Sequence, residues 1–455
     1  MSVVTRFRSA AQLTGGGVLV WSLLGRLPNA MCPIGTLLLV TRNTGSVWRG
    51  SVVAGALAVG QAVGGPLVGR LADRRGQRTV GLAAAAVNAV AILALVAASQ
   101  AGLPSAWQIA PAALIGLSVP LVGPLSRSRW VRLADGDPGL TSSMLSLDGI
   151  VDEVSFTTGP ALVGLLATLV SPAAGLLTAA ALTGVCATLF ALHPTAARAG
   201  SGSGAQVRAP GRLLNAPYVL VLAGMALLGA CFGSVQVGVT ATTGALGQPG
   251  AAGLIYGFMG FTSAFAGIAT AALPARWELP LRLRAGTVLL CAASVLLLFS
   301  GGGVAALAAA IGCLGVAVAP QMITMFGLVE RTVPAARLGE AMAALVSAII
   351  LAQSAGTFLG GWAADHVGPT APFRITVAAA AAALLLAAFT ATDRRYRRRG
   401  EAASDSPSGG APDGARAAGP IPKNTPSTGA DSPEKAEPGR RRREGNEEPV
   451  QPSRA

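Results

Sequence analysis

Long apolar runs alternate with short polar ones along most of this 455-residue chain. Runs of spanning length fall at about 17–40, 50–69, 79–98, 106–126, 141–169 and 173–192. A second set falls at about 217–243, 251–273, 285–300, 303–329, 339–362 and 373–391. An α-helix needs roughly 20 residues to cross ~30 Å of hydrocarbon, so the pattern predicts twelve transmembrane helices. Between the two sets of six lies R-A-G-S-G-S-G-A-Q-V-R-A-P-G-R, from Arg198 to Arg212. The expected organisation is an N-terminal six-helix bundle over 1–192, a central cytoplasmic loop over 193–215 and a C-terminal six-helix bundle over 216–392. A tail follows over 393–455. It is rich in Pro, Gly, Ser, Arg and Glu without apolar periodicity, so it cannot bury a core and is expected to be disordered.

Composition agrees with that pattern. The chain is 52% hydrophobic and 12% charged, where a soluble domain carries about 25% charged residues. The fold class expected is an all-α integral membrane protein. The net charge of +14 invites a nucleic-acid reading, but no lysine occurs before the tail and the arginines fall in short clusters between apolar runs. Arg6 and Arg8, Arg70 to Arg78, Arg127 to Arg132, Arg198 to Arg212, Arg276 to Arg284 and Arg331 to Arg337 fall on one side of the membrane. Arg42, Arg49 and Arg374 fall on the other. This asymmetry is a topology signal and places both termini in the cytoplasm of a multi-pass protein of the cell membrane. Nucleic acid is not an expected partner.

The stretch S-L-D-G-I-V-D-E-V-S-F-T-T-G-P, Ser146 to Pro160, puts Asp148, Asp152 and Glu153 inside the fifth span. Arg26 is the arginine well inside a predicted span. Each such group costs about 2.5–3.5 kcal/mol to insert, so these residues are expected to face a protein interior or wet cavity and to pair. Asp148 and Asp152, four residues apart, share one helical stripe ~6 Å apart along the axis, with Glu153 turned ~100° away. Arg26 reaches a similar depth. One acid can pair with Arg26 while another exchanges a proton; the alternative is a static ion pair that fixes helix packing.

The turn between spans two and three reads G-R-L-A-D-R-R-G-Q-R, Gly69 to Arg78. It resembles the loop motif of the major facilitator superfamily (MFS), with matches at Gly69, Leu71, Asp73, Arg74, Gly76 and Arg78 and a departure at Gln77. The resemblance implies the MFS fold: twelve transmembrane helices in two six-helix pseudo-symmetric bundles that rock about a central site. It also implies that Asp73 caps the start of span eleven, near Leu338, and latches the outward-facing state. T-G-P-A-L-V-G, Thr158 to Gly164, partly resembles the family's antiporter motif: Gly159 and Pro160 match, while Ser155 and Val163 stand where glycines are expected. That resemblance implies drug/proton antiport and a kink in helix five. The halves echo each other weakly: Thr158–Gly164 aligns with A-G-T-F-L-G-G, Ala355 to Gly361, and P-G-L-T-S-S-M-L-S from Pro138 with A-A-R-L-G-E-A-M-A-A from Ala335.

In the second half, Gln236, Tyr256, Gln321 and Gln353 are the candidate cavity residues, lining a space that suits an amphipathic solute, or bonding helix to helix. The five cysteines lie in apolar runs without metal-ligand spacing and are expected to be small buried hydrophobes. No catalytic set, metal site, cofactor or phosphate-binding P-loop is expected. The function expected is proton-coupled efflux of a small amphipathic molecule by alternating access. The alternatives are a proton-coupled importer and a non-transporting membrane sensor or partner. The expected partners are a small-molecule substrate, protons and the lipid bilayer, and the chain is expected to act as a monomer. Abundant Ala, Gly and Arg with scarce Lys resemble a bacterial, high-GC composition.

Overall fold

The computed structural model describes residues 16–134, 138–198, 215–271, 277–333 and 337–392. Arg6, Arg8, Asp135, Asp137, Arg276, nearly all of the central loop and the whole tail lie outside them. The helices are α1 Gly16–Thr44, α2 Val47–Arg75, α3 Gln77–Gln100, α4 Ser105–Leu133, α5 Pro138–Leu169 and α6 Pro172–Leu192. After the central segment come α7 Ala216–Ala245, α8 Ala251–Ala271, α9 Leu279–Gly302, α10 Val304–Thr332, α11 Leu338–His366 and α12 Pro372–Thr392. Eleven are long and apolar enough to cross a membrane by length and composition. The last, α12, has 21 residues with Arg374 as its one charged side chain. Large side chains such as Trp107 and Phe299 are 71% and 77% exposed. A surface of that kind is stable against acyl chains, not against water.

Local chemistry explains where the helices stop. The Ser46, Ser171 and Asn215 side chains cap α2, α6 and α7 by accepting the backbone N–H of Arg49, Ala174 and Tyr218. Gly76 joins α2 to α3 alone, at φ 88, a conformation a side chain rarely adopts. Successive passes alternate in direction, so Gly16, Arg75 and Thr392 share one face, here the proximal face. The α1–α2 and α5–α6 turns lie on the distal face.

Two boundaries depart most from the sequence expectation, and one helix carries an irregular turn. The fourth span does not end near residue 126: after a break at Ser118–Leu121, where Pro120 cannot continue the ladder, a second helical segment runs Val122–Leu133. The ninth begins at Leu279, so Arg282 and Arg284 sit within its first turns rather than in a loop. In α6 the residues Thr183–Ala187 form a π-turn, against which Gly25 of α1 packs closely.

The two bundles meet along α2 with α11 and α5 with α8. The described close approaches lie in the distal halves of these helices. Ser354 Oγ donates to the Gly55 carbonyl at 2.9 Å, and Trp48 meets Phe358 edge to face at 4.5 Å. A Cβ on Gly253 of α8 would overlap the Pro160 carbonyl and the Gly164 backbone of α5, so only glycine allows that crossing. Leu37, Ala54, Val237, Ala241 and Ala364 close the same end with an apolar cluster drawn from both bundles. Just outside it a cavity of about 360 Å³ opens between the bundles, lined by Arg42, Val47, Ala167, Thr240 and Pro249 among others.

Candidate functional site

The break in α4 decides the site. It turns the second segment so that Ser126, Arg127 and Trp130 reach α5, while Arg26 arrives from α1 at a similar depth. Arg26 lies ten residues beyond Gly16, and Asp148 ten beyond Pro138, each ~15 Å along its helix.

Four charges close into a ring. Arg26 Nη2 pairs with Asp148 Oδ1, and Arg26 Nη1 with Asp152 Oδ1 at 2.7 Å. Arg127 Nε pairs with Asp148 Oδ2 at 3.0 Å, and Arg127 Nη2 with Asp152 Oδ2. Each guanidinium therefore bridges both carboxylates. Asp148 Oδ1 also accepts from Ser126 Oγ and from Trp130 Nε1, the latter at 2.9 Å. The ring is graded from buried to exposed: Arg26 and Asp148 are 5% and 2% exposed, Asp152 25% and Arg127 47%. Two positive and two negative charges balance, which is what allows an ionic cluster to persist in a membrane interior.

Arg26, Asp148 and Asp152 thus come together. Glu153 does not join them: half-buried, it has no basic partner and no hydrogen bond among the described residues. The sequence reading missed Arg127, Ser126 and Trp130, because it ended the fourth span near residue 126. Two signals were available. Three intramembrane acids faced one arginine, a balance that asks for another cation, and Ser126 and Trp130 are four apart on one stripe.

The Gly69–Arg78 turn is placed differently from the resemblance. Asp73 is exposed, and among the described residues it makes no contact with the start of α11. Leu71 is half-buried, Arg74 and Arg78 are exposed, and Gly69 faces Leu121. Gln77, the departure from the motif, is buried. Its Nε2 donates to Ser128 Oγ at 2.8 Å and its Oε1 accepts from Arg129 Nε at 2.9 Å. Arg129 is itself fully buried, over the Phe190 ring at 3.8 Å. An arginine at position 77 would bring a second guanidinium against it, which accounts for the departure.

The latch that is made lies at the other end of the same helix pair. Asp365, at the C-terminal end of α11, accepts the Val47 N–H at 3.0 Å and the Ser46 hydroxyl, so a carboxylate sits on the N-terminus of α2. Its sequence setting, G-W-A-A-D from Gly361, echoes G-R-L-A-D from Gly69. The pair α2 and α11 therefore carries an aspartate at each end, each aimed by position at the partner's N-terminus.

Gly159 and Pro160 are buried at crossings: Gly159 against Ala30 and the Leu27 carbonyl of α1, Pro160 against Gly253 of α8. Helix α5 continues unbroken through Pro160. Gln321 is fully buried beside Gly286 of α9, with neither amide atom bonded. Gln236 is buried, Tyr256 packs against the core, and Gln353 is half-buried on α11. None of the four lines the 360 Å³ cavity. Of the cysteines, Cys32, Cys186 and Cys231 are buried as expected, but Cys313 is exposed on the outer surface of α10.

Two helical bundles joined by α2/α11 and α5/α8, with a charged cluster between spans, define a membrane carrier. The family model of the Major Facilitator Superfamily matches residues 29–306 and 283–430, and the chain belongs to that superfamily of secondary transporters. No curated protein sequence matches it. Among solved structures, the nucleoside transporter NupG aligns with TM-score 0.61 at 16% identity, covering 82% of this chain and 97% of that one. A bacterial homologue of the iron transporter ferroportin, in its inward-facing state, aligns with TM-score 0.63 at 17% identity over 86% and 100%. A POT family transporter in complex with 5-aminolevulinic acid aligns with TM-score 0.63 at 12% identity over 84% and 96%. At such identities the likeness concerns the fold alone.

Proposed function

We propose that the protein exports a small amphipathic molecule across the cytoplasmic membrane in exchange for protons, by alternating access. The observation that carries this reading is the neutral ring Arg26–Asp148–Arg127–Asp152. It is buried at one end and exposed at the other, at the depth where a carrier exposes its cargo site first to one side and then to the other.

Direction and sidedness rest on further supports. The arginine-rich turns mark the proximal face as cytoplasmic. The described approaches between the bundles lie towards the distal face, where the Asp365 contact is made, which supports reading this form as one closed on that side. Export is supported by the partial antiporter signature at Thr158–Gly164. The C-terminal bundle is mostly apolar, with amides and hydroxyls as its inner polar groups, which suits an amphipathic solute.

The test uses the full-length protein in proteoliposomes with pyranine inside and a panel of amphipathic fluorescent cations, ethidium among them. Under an imposed pH gradient, at least one dye should move against its gradient while protons move the other way, and a protonophore should abolish both. Dye and proton moving together would turn the reading to import. No movement of any dye and no dye-dependent proton flux would overturn it.

A further inference from the structure

We propose that Glu153, and neither Asp148 nor Asp152, is the group that carries the coupling proton, and that it does so in the seam between the two bundles. The proposal rests on the proton-coupled reading above and deepens it.

The ring itself argues against its own acids. Asp148 and Asp152 each touch both guanidiniums. A proton on either would leave two cations facing one anion beside Arg26, which is 5% exposed. As it stands the ring pairs two anions with two cations, each carboxylate bridged by both guanidiniums. Glu153 has the opposite setting. It is the adjacent residue, yet turned ~100° from Asp152 and off the stripe that meets Arg26 and Arg127. The basic groups near its helix are those same two arginines, both already engaged.

Its position in the seam gives the proton something to do. Thr157, one turn further along the same stripe, lies against Gly257 and Gly260 of α8. From there to the distal end the two helices touch: Pro160 and Gly164 meet Gly253, and Thr168 meets Gly250. Glu153 thus lies one turn on the proximal side of Thr157, which meets Gly260 of α8. The elements packed on α5 offer it no counter-charge. Helix α8 carries no charged residue, and its one ionisable group, Tyr256, lies near its distal end. Helix α6 carries no charged residue either, with Cys186 as its one ionisable group. Helices α1 and α4 supply Arg26 and Arg127; of their other arginines, Arg42 lies at the distal cavity, Arg129 is engaged by Gln77 and Phe190, and Arg132 lies nearer the proximal end of α4, while on α5 itself the neighbours are Asp148 and Asp152.

To close the proximal face, α5 and α8 must zip past this point and bury the Glu153 carboxyl against α8. A bare carboxylate with no partner resists that burial; the carboxylic acid does not. The cycle is then simple. Water on one face supplies a proton to the carboxylate, the neutral acid is buried as the proximal half of the seam closes, and the proton returns to water on the other face when the acid is rehydrated. Cargo moves between these two events.

The test separates this assignment from the reading it rests on. A cysteine is placed on the next turn of α8 (Ala264→Cys), with the exposed Cys313 removed (Cys313→Ser), and maleimide labelling is followed from acid to alkaline pH in detergent-purified protein of monodisperse elution. With Glu153 intact, labelling should fall at acid pH as the seam closes. With Glu153→Gln it should be low at every pH, and the proton uptake that accompanies closure should be lost. Glu153→Asp should restore a pH dependence. Wild-type pH dependence in Glu153→Gln, or its loss in Asp152→Asn alone, would overturn the assignment while leaving proton coupling in place. No pH dependence and no proton uptake in the parent protein would overturn both.

Discussion

The two bundles share a topology but divide the chemistry. The N-terminal bundle buries charge: Arg26, Arg129 and Asp148 are each at most 5% exposed. In the C-terminal bundle no charged side chain is buried among the described residues, and its inner polar groups are hydroxyls and amides. Packing follows the same division. The charged bundle is fastened by ion pairs whose geometry permits one arrangement, whereas the other relies on glycine crossings and hydroxyls bonded to their own helix. One half is a fixed polar frame; the other is a smooth partner that can move against it without breaking charge pairs. A rocking carrier benefits from confining its ionic cluster to one side of the moving seam, because no buried ion pair then has to be torn apart during the cycle.

The comparison can be broken most forcefully at Asp148. Asp148→Asn keeps the shape but removes one of two anions, leaving the Arg26 guanidinium under-compensated in a nearly dry site. Stability should fall by about 3–5 kcal/mol, read from the unfolding midpoint in detergent. A loss under about 1 kcal/mol would mean that the ring does not fasten the bundle. A smaller effect is expected where the halves meet. Asp365→Asn removes the charge on the α2 N-terminus but keeps an acceptor, so it should loosen the distal closure by ~0.3–1 kcal/mol. That corresponds to about a twofold to fivefold rise in labelling of a cysteine introduced at Gly55. An unchanged rate would show that the glycine crossings alone hold that face. The smallest effect belongs to the C-terminal bundle. Gln321→Leu removes an amide whose two polar atoms have no partner, and it should be neutral or stabilising within about 1 kcal/mol. A loss as large as that of Asp148→Asn would erase the contrast between the bundles.

The membrane class, the two sets of six spans and the superfamily were all legible before any coordinates. Each rests on a signal that is local along the chain: apolar runs of spanning length, clustered arginines, and the G-x-x-x-D turn. That Arg26 meets an acid of α5 was legible too, since helical spacing and depth place them on one level; that it takes both Asp148 and Asp152 was not. Glu153 was grouped with them even though its ~100° turn off their stripe was legible, because an acid inside a span is expected to pair. Arg127 was assigned to a loop because hydropathy fades where α4 continues, and a helix that carries its arginine into a ring of carboxylates need not be apolar there.

What the sequence determined by itself was the solvent of each segment, because transfer of side chains into hydrocarbon is set by the segment's own composition. What the tertiary structure decided was which charge meets which. The Pro120 break re-aims half a helix, the ring then takes both aspartates, and Glu153 is left without a partner among the described residues. The same fold chose the Asp365 latch over the Asp73 latch in the form described. Both choices depend on the direction of helices and the distance between them, quantities that side-chain packing across distant segments fixes and that no single stretch of chain contains.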